Sequence, residues 1–170
     1  AKLLGAEDAM VFASGHATNV TVIGHFFNST DLIVYDELSH NSVIEGCILS
    51  GARRIPFKHN DYRQCEKIIA ENIGHYQKIA IVVEGVYSMD GDISPLDEFV
   101  KLRNAWPVLI YVDEAHSIGT IGRTGRGIQE YFDLRPDDAD FWMGTLSKSL
   151  ASNGGYIAGK RTLIDYLRYT

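Results

Sequence analysis

Seven short apolar segments alternate with amphipathic stretches along the chain, and this alternation limits the fold more than any other feature. The segments are rich in β-branched and aromatic residues and lack an internal polar alternation. Such segments are typical of strands buried on both faces of a mainly parallel sheet, covered by helices. The sequence therefore predicts an α/β fold, a three-layer αβα sandwich with a mainly parallel sheet. The predicted strands are residues 9–13, 32–35, 53–57, 79–83, 108–112, 141–143 and 156–158.

Composition excludes several kinds of function. The 170 residues suffice for one domain, and 16 basic against 22 acidic side chains give a net charge of −6. No dense Lys/Arg cluster occurs, so we expect no nucleic-acid partner. Cys47 and Cys65 lack metal-ligand spacing, so we expect no metal site and read them as idle thiols in a reducing cytoplasm. The apolar runs are far shorter than the ~20 residues of a membrane span, so no transmembrane segment is expected.

Polar residues stand at the ends of five predicted strands. In open parallel sheets, ligands bind beyond the carboxyl ends of the strands. These residues could form a binding site there, or they could simply be strand ends that meet solvent. They are Ser14, Asp36, Glu84, Asp113 and Thr145.

The segment Ser14-Gly15-His16 follows the first predicted strand and precedes a predicted helix over residues 17–27. Free N–H groups and the helix dipole at such a position favour an anion, which makes the segment a candidate phosphate site. A serine before a helix is also an ordinary N-cap, so the motif alone leaves both interpretations open.

Asp113 ends a buried strand, where a carboxylate needs a cationic partner. A protonated pyridine nitrogen would serve, and so would a structural arginine. The tetrad Asp113-Glu114-Ala115-His116 also matches the Walker B segment of DEAH-type helicases. The closest approach to a phosphate loop, residues 154–161, lies downstream and has Arg161 in place of the magnesium-binding hydroxyl, which disfavours a helicase.

Residues 144–150 combine two hydroxyls, Thr145 and Ser147, with the amine of Lys148. Small residues continue to Gly155 and would let a planar ligand approach the backbone. A lysine that forms an imine must first lose its proton, which desolvation favours. The alternative is an exposed lysine without a chemical role.

Five motifs in order resemble the α-oxoamine synthase family of pyridoxal 5'-phosphate (PLP) enzymes, of fold type I. The resemblance extends over the whole chain and implies that residues 1–170 are the PLP-binding large domain, without an N-terminal segment and a C-terminal small domain. Within the family, the motifs are most similar to the serine palmitoyltransferase subfamily and its bacterial relatives. The motifs are SGHATN, DELSHNS, EGVYSMDGD, VDEAHSIGTIGRTGRG and MGTLSKSLASNGG.

The resemblance implies an acyltransferase and assigns its catalytic residues. The reaction would be a decarboxylative condensation of an amino acid, serine or glycine-like, with an acyl thioester of CoA or a carrier protein, in a homodimer. Lys148 would form the Schiff base with PLP, and Asp113 would pair with the pyridine nitrogen. His40 would stack on the ring, and His116 would bind the phenolic oxygen, with Ser88 nearby.

The resemblance also assigns residues to the phosphate and to the substrate. Thr145 and Ser147 would bind the phosphate, together with the backbone N–H groups of Gly15 and His16, and Ser14 would also lie at the cofactor. Asn19 and Glu84 would lie near the substrate, and Glu84 would also border the cofactor. His16 departs from the family pattern, in which Tyr, Phe or another residue is usual, so only contacts of its side chain are in question.

Two alternatives to the acyltransferase remain open at this point. One is another fold type I enzyme, an aminotransferase or a lyase. The other is a non-catalytic partner subunit, although subunits of that kind have lost the lysine that this chain keeps as Lys148.

Overall fold

A computed structural model describes residues 1–169 and places seven strands in a single sheet, in the order β1-β7-β6-β5-β4-β2-β3. Strands β3, β2, β4, β5 and β6 are parallel neighbours, while β7 runs antiparallel between β6 and β1. All seven predicted strands are present, with ends that agree within two residues. They are β1 (Asp8–Phe12), β2 (Leu32–Asp36), β3 (Arg53–Phe57), β4 (Ile79–Glu84), β5 (Leu109–Asp113), β6 (Phe141–Thr145) and β7 (Gly155–Gly159).

Helices connect most of the strands. The helix predicted over residues 17–27 begins two residues earlier, because the Ser14 side chain caps it by accepting the backbone N–H of Ala17. A short 3₁₀ turn, Pro136–Asp138, precedes β6. The α-helices are α1 (Gly15–Phe26), α2 (Asn41–Ser50), α3 (Tyr62–Asn72), α4 (Leu96–Ala105), α5 (Ile128–Tyr131) and α6 (Arg161–Arg168).

The sheet separates two hydrophobic cores. Successive side chains of β4 point to opposite faces, so Ile81 and Val83 join one core while Ala80 and Val82 join the other. Helices α3, α4 and α5 cover the first face, and helices α1, α2 and α6 cover the second. Helices therefore pack on both sides of the sheet, and the predicted three-layer αβα sandwich is confirmed.

The carboxyl ends of the parallel strands bring four polar residues to one edge of the sheet. Asp36, Glu84, Asp113 and Thr145 are the last residues of β2, β4, β5 and β6, and all four are buried. Strand β1 points the same way, because it is antiparallel to β7, which is itself antiparallel to β6. The start of α1 after β1 therefore lies at this same edge.

Among the described residues, no helix has the length and apolar character that a membrane crossing would require.

Candidate active site

A cavity of about 210 Å³ lies beyond the carboxyl ends of β5 and β6, where α1 begins. Ten of the twelve residues predicted for the site line it. The two others, Glu84 and Ser88, do not. The lining residues are Ser14, Gly15, His16, Asn19, His40, Ser42, Asp113, Ala115, His116, Met143, Thr145, Ser147 and Lys148.

Groups that favour an anion lie together where α1 begins beside the end of β6. Helix geometry leaves the N–H groups of Gly15 and His16 without intrahelical acceptors, and the positive end of the α1 dipole points the same way. The hydroxyls of Thr145 and Ser147 are 2.9 Å apart beside them. A Cβ at Gly15 would lie 2.9 Å from the Cβ of Thr145, so only glycine lets α1 start this close to β6. The arrangement suits a phosphate group.

Asp113 also lines the cavity, as a carboxyl group that is only 3% exposed. Its Oδ2 accepts the side-chain N–H of Asn19 at 2.7 Å, and its Oδ1 accepts the backbone N–H of Ala115 at 2.9 Å. Within residues 1–169, no arginine or lysine lies at salt-bridge distance from it. The alternative of a structural arginine partner is therefore not found, and a cationic ligand in the cavity would supply the missing charge.

Lys148 lies in the connection between β6 and β7, with its amine at the cavity. Burial lowers the pKa of the amine, although the negative charge of Asp113, and that of Glu84 when it is ionised, acts to raise it. No described acidic group forms a salt bridge with it. Lys148 thus has an amine that loses its proton more readily than an ordinary lysine, which is what a nucleophilic lysine requires.

Three histidines line the cavity: His40, His116 and His16. His40 begins α2, and its Nδ1 lies 2.7 Å from the Ser42 hydroxyl. Burial, followed by the positive charge of Lys148, lowers the pKa of His116. The side chain of His16 turns away to Glu45, with its Nε2 at 2.9 Å from Oε2, so its backbone and not its ring is free for an anion.

Glu84 does not line the cavity but holds the residue that begins the His40 side of the site. A carboxylate oxygen of Glu84 accepts the backbone N–H of His40, the residue before α2. Burial, and then the neighbouring charge of Asp113, raises the pKa of Glu84 to about 8. Ser88 is exposed in the turn after β4, so its predicted place near the cofactor remains a prediction.

The tetrad 113–116, which reads as one motif in the sequence, faces two directions in the structure. Asp113 and His116 line the cavity, whereas Glu114 is fully buried on the other side. Its carboxylate accepts the Ser117 hydroxyl and the backbone N–H of Ile128 at 3.1 Å. Glu114 therefore fastens the loop that leads to α5 and takes no part in the cavity.

Asp36, the last residue of β2, does not line the cavity and has a structural role. Its Oδ1 lies 3.0 Å from Nδ1 of His59, whose Nε2 lies 2.6 Å from Oδ2 of Asp92. Burial acts to lower the pKa of His59, but hydrogen bonds with both carboxylates raise it overall. The imidazole therefore joins the end of β2 to the turn after β4.

Sequence reasoning did not identify Ser42, Tyr111, Ala115 and Met143. Ser42 lies two residues after His40, in the first turn of α2. Serine side chains at helix starts often bond to neighbouring groups, so its position in the sequence could have pointed to a contact with His40. Tyr111 reads as an ordinary interior residue of β5, and nothing in the sequence shows that its hydroxyl reaches Asn19 at 2.7 Å.

The sheet order, the groups that favour an anion and the lysine beside a buried carboxylate are together typical of enzyme domains that bind a phosphate-bearing cofactor. The chain belongs to the Aminotransferase class I and II family, which matches residues 1–170. Among curated proteins it is similar to serine palmitoyltransferase 3 of Mus musculus, 47% identical over 99% of this chain and 31% of that protein. The Homo sapiens serine palmitoyltransferase 3 is 45% identical over 99% of this chain and 32% of its own length. The chain thus spans about a third of these relatives.

Solved structures agree with this placement. The serine palmitoyltransferase of Sphingomonas wittichii has a TM-score of 0.93 and 36% identity, over 99% of this chain and 42% of that one. A serine palmitoyltransferase described as carrying a PLP internal aldimine has the same TM-score at 32% identity, with the same coverage. The 8-amino-7-oxononanoate synthase of Francisella tularensis has a TM-score of 0.85 at 28% identity, over 99% of this chain and 48% of that one. The predicted resemblance to serine palmitoyltransferases and their α-oxoamine synthase relatives is confirmed.

Proposed function

We propose that residues 1–170 form the PLP-binding large domain of a longer acyltransferase of the serine palmitoyltransferase type. The enzyme would condense an amino acid with an acyl thioester, release carbon dioxide and yield a 2-amino ketone. One observation carries the proposal: the amine of Lys148, the buried carboxylate of Asp113 and an anion site face the same small cavity. The similarity to serine palmitoyltransferases supports the choice of substrates.

The donor set fits PLP group by group. Thr145, Ser147 and the N–H groups that begin α1 would hold the phosphate. Asp113, which has no cationic partner among the described residues, would pair with the pyridine nitrogen. Lys148 would hold the cofactor covalently through its amine. PLP, when bound, supplies a ring that takes up the electron pair left at the amino acid's α-carbon.

The remaining polar groups would orient the reactants and move protons. With its lowered pKa, the Nζ of Lys148 would accept the proton from the α-carbon and later return one. The lowered pKa of His116 keeps its imidazole neutral at neutral pH, so that a ring N–H can donate to the cofactor's phenolic oxygen. His40 would lie against the ring face.

We also propose that the enzyme is a homodimer that works in the cytoplasm. Large apolar side chains are exposed in connections at the cavity edge of the sheet, among them Leu38 at 45%, Met89 at 92% and Leu150 at 45%. A second subunit would bury them. Cys47 and Cys65 are free and buried, which supports a reducing compartment.

The test uses the full-length protein with PLP, serine and a long-chain acyl-CoA. We expect release of carbon dioxide and free CoA, and a visible cofactor band that disappears on borohydride reduction. The reduction should leave the cofactor covalently attached to the peptide containing Lys148. Lys148→Ala should abolish both signals. Lys160→Ala, at the exposed residue before α6, should retain both.

Two results would contradict the proposal. Transfer of the amino group to a keto acid, without release of carbon dioxide, would indicate an aminotransferase. Failure of the wild-type protein to bind PLP would indicate a non-catalytic subunit.

A further inference from the structure

The side chain of Asn19 lies where the polar groups of the cavity meet, and it is 1% exposed. Its Oδ1 accepts the hydroxyl of Tyr111 at 2.7 Å. Its Nδ2 donates to the Ser42 hydroxyl at 2.9 Å and to Asp113 Oδ2 at 2.7 Å. Both amide hydrogens are therefore used within the protein, and none remains for a substrate.

The Tyr111 hydroxyl determines which atoms of the Asn19 amide donate and which accept hydrogen bonds. Burial raises the pKa of the Tyr111 phenol far above its usual value, so the hydroxyl remains a donor and must face an acceptor. The Asn19 oxygen is that acceptor, so the NH₂ group is turned toward Asp113 and Ser42. A flipped amide would place its oxygen against the carboxylate of Asp113.

The assignment of donors and acceptors extends through Ser42 to His40. The Ser42 hydroxyl accepts from Asn19, so its own hydrogen is free to point to Nδ1 of His40, at 2.7 Å. The backbone N–H of Ser42 also points to that nitrogen, at 3.2 Å. With two donors at Nδ1, a neutral imidazole carries its proton on Nε2.

We infer that Asn19 is a positioning residue that orients both Asp113 and His40, instead of the substrate contact expected from the sequence. By fixing the Asn19 amide, Tyr111 orients the Asp113 carboxylate, which would meet the cofactor's ring nitrogen. Through the same amide it also fixes the tautomer of His40, whose imidazole would lie on the face of the cofactor ring. This inference rests on the proposed function for the cofactor, but the state of His40 can be measured without any cofactor.

The experiment follows the ring nitrogens of His40 by ¹⁵N NMR in the cofactor-free, full-length protein and then measures its affinity for PLP. Wild type should show an unprotonated Nδ1. Ser42→Ala should produce a mixture of tautomers, and Ser42→Thr, which keeps the hydroxyl, should restore the wild-type signal. Tyr111→Phe should also disturb His40 and weaken PLP binding about tenfold, as expected for one lost bond in a network around a charge.

Tyr35→Phe is the matched control, because Tyr35 lies in β2 and no hydrogen bond of its hydroxyl is found among the described residues. It should change neither readout. Wild-type His40 signals and PLP affinity in Tyr111→Phe would overturn the inference, and so would a protonated Nδ1 in the wild type. Should Tyr111→Phe fail to fold, the Ser42→Ala and Ser42→Thr variants decide. Identical His40 spectra in these two variants would also overturn the inference. Absence of PLP binding in the wild type would instead contradict the proposed function.

Discussion

Glu84 and Asp113 occupy paired positions at the last residues of β4 and β5, so two carboxyl groups end neighbouring strands side by side. Both are buried, with exposures of 4% and 3%. Burial and the adjacent charge raise the pKa of Glu84 from 4.5 to about 8, so Glu84 holds its proton at neutral pH. One member of the pair is therefore free to act as the carboxylate of the site.

This pairing predicts a pH-dependent cost to folding. As pH rises above about 4.5, the unfolded chain loses the Glu84 proton while the folded chain keeps it until about pH 8, so stability falls across that window. A pKa difference of this size corresponds to roughly 5 kcal/mol at most. Glu84→Gln cannot ionise, so its stability relative to wild type should rise between these pH values.

Urea unfolding near both ends of the window would measure this change, with Glu71→Gln on the exposed side of α3 as the control. A constant difference between Glu84→Gln and wild type at all pH values would show that Glu84 titrates normally.

Lys148 should be labelled by an acylating reagent at lower pH than Lys101. Burial lowers the pKa of Lys148, whereas a hydrogen bond to Glu98 raises that of Lys101. Peptide mass spectrometry across a pH series would give both midpoints in one sample. Asp113→Asn should lower the Lys148 midpoint further, because the Asp113 charge acts to raise this pKa. Coincident midpoints for the two lysines would contradict the prediction.

Gly15→Ala should weaken PLP binding by at least about tenfold, on the order of one lost charge-assisted hydrogen bond. The added Cβ would lie 2.9 Å from Thr145 Cβ and 3.0 Å from its Oγ1, which forces the helix start away from β6. Gly24→Ala in the same helix meets the exposed side chain of Leu49, which can move into solvent, and no residue of the cavity, so it should bind PLP normally. Fluorescence titration would compare them, and equal affinities would show that the Gly15 contact does not shape the phosphate site.

Ser149→Ala should loosen the loop that carries Lys148. The Ser149 hydroxyl donates to the carbonyl of Ile118, and its Cβ packs against Gly119, where a second Cβ would lie only 2.6 Å away. Loss of this bond costs about 1 kcal/mol, so amide hydrogens of residues 146–154 should exchange roughly fivefold faster. Ser152→Ala, at an exposed residue of the same loop, is the control. Unchanged exchange in Ser149→Ala would mean that other contacts hold the loop.

The sequence was sufficient to predict the layers and most of the cavity. Buried strands have a distinctive composition, and the residue that ends a parallel strand is known once the strand is known, which located Asp113 and Thr145. It could not show how Asn19 is used, because its neighbours Tyr111 and Ser42 come from two other elements. It also could not separate Glu114 from Asp113, since only the turn after β5 decides which side each residue faces.

The antiparallel pair β6 and β7 has a consequence for how the site is built from the chain. These two strands close the Lys148 loop at its base, through bonds such as Leu146 N–H to Gly154 O, so the loop has a short closure distance along the chain. The bond from Asn19 to Asp113 joins residues 94 positions apart and requires α1 to pack on the sheet. The loop that carries the lysine is thus defined by contacts near it in the chain, whereas the groups that would hold the cofactor come together through contacts between distant parts of the chain.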